Sequence, residues 1–276
     1  MRYPAVSGLF YPSSKAALEK MVRGLLQQAE GEGEEAHGAV SLVCPHAGYV
    51  YSGKTAAAGF AACKGELQRQ GVTIVIIGPN HTGIAHAKVG LSTEKWQTPL
   101  GACEADLKFA DALQKCANFI KIDEAAHASE HSIEVMLPFL QMLCPQAKYA
   151  FLCMGAQSWE TAQALGKAVF EAQKETGRKI FVLASSDFTH YESAQSARMK
   201  DSAAISLLEK MQPEEFEALV AQRDLSICGH SPIAAALHYA RLCKAKTAKV
   251  LQYSNSGETS RDFSGVVGYA AIAFLK

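Results

Sequence analysis

The chain reads as one α/β domain over residues 1–276, with a mainly parallel or mixed central sheet and helices on both faces. Three observations predict this. The run VTIVIIG (72–78) is β-branched and uninterrupted, as a strand buried on both faces should be. Similar runs recur at 40–45 (VSLVCP), 149–155 (YAFLCMG) and 179–187 (KIFVLASSD). Stretches with helical periodicity separate them, and alternation of this kind builds a sheet covered on two sides.

Taken in order, a Ser-Ser start predicts a helix over 14–29, followed by a Gly/Glu linker at 30–38 (EGEGEEAHG). Helices are expected at 54–70 and 106–115. A helix at 129–144 would carry Ile133, Met136, Leu137, Leu140 and Leu143 on one stripe. Further helices fall at 159–176, 195–210, 213–221 and 232–243. Two strands, AKVLQYS and GVVGYAAIAFL, close the chain. No fixed-period repeat or second domain is evident.

Composition narrows the function. Lys+Arg and Asp+Glu balance at 27 each, so no excess of positive charge points to nucleic acid or an anionic membrane. No run approaches the roughly 20 apolar residues of a membrane helix. The eight cysteines include no C-x-x-C pair, and several sit in apolar runs. With no export segment in MRYPAVSGLFYP, they predict a reducing, cytoplasmic setting.

Three strands end alike. The first runs into His46, the second into His81, and the fourth into Asp187 and then His190. Ligands of open α/β sheets bind at the carboxyl ends of strands, so these endings should share one rim. One such histidine is usually structural; three at equivalent positions predict a polar pocket with a metal ion. Cys228, in SICGHSP, would precede a helix with Ser231 as cap and Pro232 at its first position. A helix N-terminus favours thiolate, although a buried inert cysteine fits equally well. Thiolate with imidazoles suits zinc, iron or copper.

The segment His127-Ala-Ser-Glu130-His131 fits the H-x-x-E-H pattern of inverted zinc peptidases. Ser129 argues against it, because a cap there leaves His127 outside the helix. His131 and Glu134 would then project from the helix start toward the pocket rim, or form a solvated polar face. Tyr49, Tyr51 and Trp96 would line the cleft or pack as ordinary aromatics. Ser185, Ser186 and Asp187 beside His190 lack the nucleophile-elbow context of a serine hydrolase, and no phosphate-binding glycine loop is present.

The stretches RYPAVSGLFYP, PHAGYVYSG, IIGPNHTG, WQTPLG, EHSIEVMLPFL, SSDFTHY, ICGHSP and GVVGYAAIAF occur in order from residue 2 to residue 274. Together they resemble the Memo family, the B protein of the AmmeMemoRadiSam system, which is similar in fold to class III extradiol non-haem iron dioxygenases. The resemblance places His46 and His81 on two histidine ligand positions and Cys228 on the carboxylate position. It implies iron(II) first, with copper or zinc as alternatives. Asp187 and His190 would be catalytic, His190 as acid/base and Asp187 orienting it. His230 stands where animal members carry arginine, and would assist the metal or face solvent. A radical-SAM protein and an AMMECR-type protein are the implied partners, and a small molecule the implied substrate. Sulfur in place of oxygen alters redox behaviour, so the alternative is a non-catalytic protein that sequesters metal or docks a partner or phosphopeptide.

Overall fold

The computed structural model describes residues 1–276, side chains included save that of Glu32. Its strands are β1 (Ala39–Cys44), β2 (Val72–Pro79), β3 (Val89–Ser92), β4 (Trp96–Thr98), β5 (Gly101–Cys103), β6 (Ile120–Ile122), β7 (Lys148–Met154), β8 (Lys179–Ser185), β9 (His190–Glu192), β10 (Thr247–Asn255) and β11 (Val266–Leu275). Its helices are α1 (Lys15–Glu32), α2 (Tyr49–Ala62), α3 (Lys64–Leu67), α4 (Leu107–Cys116), α5 (Leu137–Leu143), α6 (Trp159–Thr176), α7 (Ala194–Glu209), α8 (Pro213–Arg223), α9 (His230–Leu242) and α10 (Gly257–Ser260).

One mixed sheet runs in the order β10-β11-β1-β8-β2-β7-β3-β6, with β9 paired to β11. Its centre is parallel: β1 pairs with β8, β8 with β2, and β2 with β7. The flanks are antiparallel through β11 and β3. Successive side chains of a strand face opposite ways, so each central strand feeds two cores. Leu42, Ile74, Ile76 and Leu183 pack with Leu18, Phe60, Leu67 and Phe139 from α1, α2, α3 and α5. Val43, Val75, Ile77 and Val182 pack with Phe109, Leu165, Leu208, Phe216 and Leu237 from α4, α6, α7, α8 and α9. The predicted α/β architecture with helices on both faces is the one observed. Among the described residues, no helix is long and apolar enough to cross a membrane, and all eight cysteines are free.

Several boundaries differ from expectation. The helix predicted from 54 starts at Tyr49, with Gly48 at its cap, and breaks at Cys63. Helix α1 extends into the stretch expected to be linker. Helix α9 begins at His230 after Gly229, so Pro232 lies within its first turn, and the Ser231 hydroxyl meets His230 Nδ1 rather than capping the backbone. The largest change is at 129–144, where α5 starts only at Leu137 after a 3₁₀ turn over Glu134–Met136. The N–H groups of His131 and Ser132 turn onto the Glu130 side chain, a local bond that competes with helix formation. The predicted stripe from Ile133 to Leu143 is buried nonetheless. Strands β3, β4, β5, β6 and β9 were not expected; at three or four residues each they are too short for periodicity to reveal.

Candidate metal centre

Strands β1, β8 and β2 are neighbours and parallel, so their carboxyl ends open on one edge of the sheet. His46, Asp187 and His81 follow those ends by two residues each. A fourth segment, 130–132, closes over the edge. It can sit there because residue 78 is glycine: a Cβ at Gly78 would lie 2.4 Å from Ser132 Oγ. The Ser132 hydroxyl donates to the Pro79 carbonyl at 3.1 Å and locks the contact.

The hydrogen bonds select the tautomers of two histidines. The Ser185 hydroxyl donates its single proton to the Ser132 carbonyl at 2.6 Å. It therefore accepts from His46, whose Nδ1 lies 2.7 Å away and carries the ring proton. His81 Nδ1 lies 2.9 Å from Glu130 Oε1, an acceptor, and is the donor there. Each ring is left with Nε2 as its unprotonated nitrogen, that of His46 lying against the Cys228 thiol. The rings of His46 and His81 are 5.0 Å apart, and His131 stacks on His81 at 4.6 Å. One ring nitrogen from each of His46, His81 and His131 lies within 4.8 Å of the others.

Burial, reinforced by the neighbouring histidines His131, His81 and His190, pushes His46 well below the usual imidazole range. Burial lowers His131 as well. Converging imidazole acceptors repel one another unless a cation lies between them, so this donor set fits a metal ion. Glu130 is the charge beneath the cluster. It accepts from the His81 ring and backbone and from the N–H groups of His131 and Ser132. Burial alone would raise its carboxyl, but the hydrogen bond from the His81 ring, with those from the Ser132 and His81 N–H groups, holds it down to about 2.

Cys228 is brought against His46, its Sγ 3.3 Å from Nε2, and lies outside the set of three mutually close imidazoles. Its thiol also accepts the Asp187 N–H at 3.2 Å. Burial, with the Asp187 charge, pushes the thiol up. The turn carrying it presses on β8, because a Cβ at Gly229 would lie 2.5 Å from the Ser185 carbonyl oxygen. Asp187 Oδ1 accepts the His46 N–H at 2.8 Å. Burial raises its carboxyl to about 6 against the opposing pull of that bond and of His190. His190 lies beside them, with Nδ1 donating to the Ser226 carbonyl at 2.8 Å.

Other expected pocket residues are placed elsewhere. Glu134 is committed to the N-terminal segment, accepting from Arg2, the Ala5 and Val6 N–H groups and the Tyr11 hydroxyl. Tyr49 is a core residue between Tyr11 and Phe139, its hydroxyl on the Val135 carbonyl at 2.7 Å. Trp96 is buried and stacked on Phe151. His230 Nδ1 pairs with Glu217 of α8 at 2.8 Å. His127 is buried, with Nε2 on the Gly90 carbonyl, and does not join His131 as the peptidase pattern would require. The residue that sequence reasoning undervalued is Glu130, singled out only as part of the peptidase pattern. Its adjacency to His131 was the available signal.

Fold and site together define a mixed-sheet α/β protein that gathers histidines on the carboxyl rim of its parallel strands. The family model for Memo-like proteins matches residues 2–273. A MEMO1 family protein of Methanosarcina acetivorans is 43% identical over 274 residues, covering 99% of this chain and 98% of that relative. Another, from Archaeoglobus fulgidus, is 40% identical and covers 99% of both chains. Among solved structures, the uncharacterized protein JW3007 of Escherichia coli K12 shares the fold, with a TM-score of 0.55 at 12% identity over 85% of this chain and 98% of that one. This chain belongs to the Memo family.

Proposed function

We propose that the protein binds a transition metal ion at His46, His81 and His131, with Cys228 as a sulfur donor beside His46, and uses it in redox chemistry on a small molecule. The observation that carries the reading is the convergence of three ring nitrogens within 4.8 Å, with hydrogen bonds that put the ring proton of His46 and of His81 on Nδ1 and leave Nε2 unprotonated. Imidazole donors with a nearby thiol suit iron(II), copper or zinc. When bound, such an ion would supply Lewis acidity and, for iron or copper, electron transfer. The protein's own part is orientation. Ser185 and Glu130 fix two rings, and Asp187 holds the His46 backbone. His190, with its Nδ1–H committed to Ser226, keeps Nε2 as a proton acceptor next to Asp187 and serves as acid/base. Resemblance to the B protein of the AmmeMemoRadiSam system supports action alongside a radical-SAM protein and an AMMECR-type protein.

Metal content tests this directly. Protein purified without oxygen should carry or take up about one equivalent of iron, copper or zinc per chain, and His46→Ala with His81→Ala should abolish uptake. Less than about a tenth of an equivalent, with no uptake on titration, overturns the reading. Oxygen consumption with a panel of catechols, lost in His81→Ala, supports the redox part. Stoichiometric metal without oxygen consumption favours a sequestering protein instead.

A further inference from the structure

Residues 127–133 cross the site outside any regular helix or strand; the His131 and Ile133 carbonyls are bonded by the following turn, but others, those of His127 and Glu130 among them, need donors from elsewhere. One side chain supplies both. Arg2 Nε donates to the His127 carbonyl at 3.1 Å and Nη2 to the Glu130 carbonyl at 2.7 Å. Its Nη1 pairs with the Glu134 carboxylate. Arg2 is itself 5% exposed and rigidly held. Its backbone bonds Lys95 and Gln97 on either side of Trp96, and its guanidinium lies 4.3 Å from the Trp96 ring centroid. The fork thus spans a loop whose two central residues are Glu130, the acceptor of His81, and His131, the third imidazole.

We infer that Arg2 is a positioning residue of the metal centre: it clamps both ends of the 127–134 segment and thereby sets where Glu130 and His131 stand. This rests on the metal-binding reading above. Arg2 lies beneath the loop and does not reach the histidine nitrogens, so it acts through Glu130 and His131 and not as a ligand. A second tie runs in the same sense. Phe10, in the same N-terminal segment, packs edge-on against the His131 ring at 4.9 Å and accepts the Tyr49 N–H through its carbonyl. Lysine cannot replace the fork, because an ammonium on a flexible stem does not reproduce the rigid planar donors that reach His127, Glu130 and Glu134 together.

The test uses cobalt(II) as probe on the full chain, reading affinity by chelator competition and geometry by the ligand-field spectrum. In Arg2→Lys, affinity should fall about 10- to 100-fold, the range seen when the supporting partners of metal ligands are removed, and the spectrum should change. Asp106→Ala, which removes a helix cap remote from the loop, should lower stability but leave affinity and spectrum as in the wild type. Should Arg2→Lys not fold, Glu134→Gln is measured instead; it removes the charge that pairs with the Arg2 fork and should weaken cobalt and shift the spectrum. A folded Arg2→Lys, or failing that Glu134→Gln, with wild-type affinity and spectrum overturns the inference. Absence of cobalt binding by the wild-type protein instead overturns the metal reading on which it stands.

Discussion

His81 Nδ1 and Glu130 Oε1 are 2.9 Å apart, and the carboxylate has no exposure to solvent. A buried carboxylate that takes the proton side of an imidazole orients the ring and makes its other nitrogen a stronger donor to a metal. Glu130→Gln keeps the shape but loses the charge, and turns an amide toward one of the N–H groups that Glu130 accepts. Metal affinity should drop about 10- to 100-fold. Chelator competition against wild type reads the change, and an unaltered affinity would remove Glu130 from the centre.

Gly229→Ala places a methyl group 2.5 Å from the Ser185 carbonyl oxygen and 2.7 Å from Ser186 Cβ. Backbone and strand end must part to admit it, at a cost of about 1–3 kcal/mol. Urea unfolding measures that loss. Because Cys228 precedes this residue, the variant should also alter the metal's spectrum, which Cys228→Ser would change in its own way.

Tyr49→Phe separates packing from the site. The ring stays in the core, but the Val135 carbonyl loses its donor, costing about 1 kcal/mol. Metal uptake should match the wild type. A loss of uptake with an intact fold would return Tyr49 to the pocket.

Asp106 gives a pH signature on the far side of the sheet. Burial would raise its carboxyl, but the Thr73 hydroxyl, the Phe109 N–H and the Arg178 guanidinium outweigh it and hold the carboxyl below its ordinary value of 3.8. A carboxyl lowered on folding contributes stability that is full above its unfolded value and lost as pH falls through its folded value. Asp106→Ala should therefore cost about 1–2 kcal/mol at pH 7, mainly the helix cap and its ion pair. The gap between variant and wild type should narrow below about pH 4. Denaturant titrations at both pH values check the sign.

The strand ends made half of the centre legible. His46, His81 and Asp187 each follow a long apolar run, and parallel strands with helical crossovers must align their ends. Loop 127–133 offered no such rule. Ser129 and the stripe from Ile133 argued for a helix, whereas the Glu130 side chain captures the N–H groups that a helix would have used. Glu134 was misplaced for a related reason: its partners, Arg2 and Tyr11, lie more than a hundred residues away and are joined only by tertiary packing. Tyr49 and His230 sit next to site residues in the chain yet turn toward Val135 and Glu217. Sequence adjacency carries no information about which way a side chain points at a helix start.

Arg2, His46, His81, Glu130, His131, Asp187 and Cys228 come from almost the full span of the chain, and the strands beneath them are joined by long crossovers. No short fragment holds even two of the three clustered imidazoles together with Cys228. Such distant pairings form late and slowly during folding. Capture of an ion by this cluster should therefore trail the appearance of helical signal in a refolding experiment. The metal would then act as a latch set after the chain has closed, not as a seed around which it gathers.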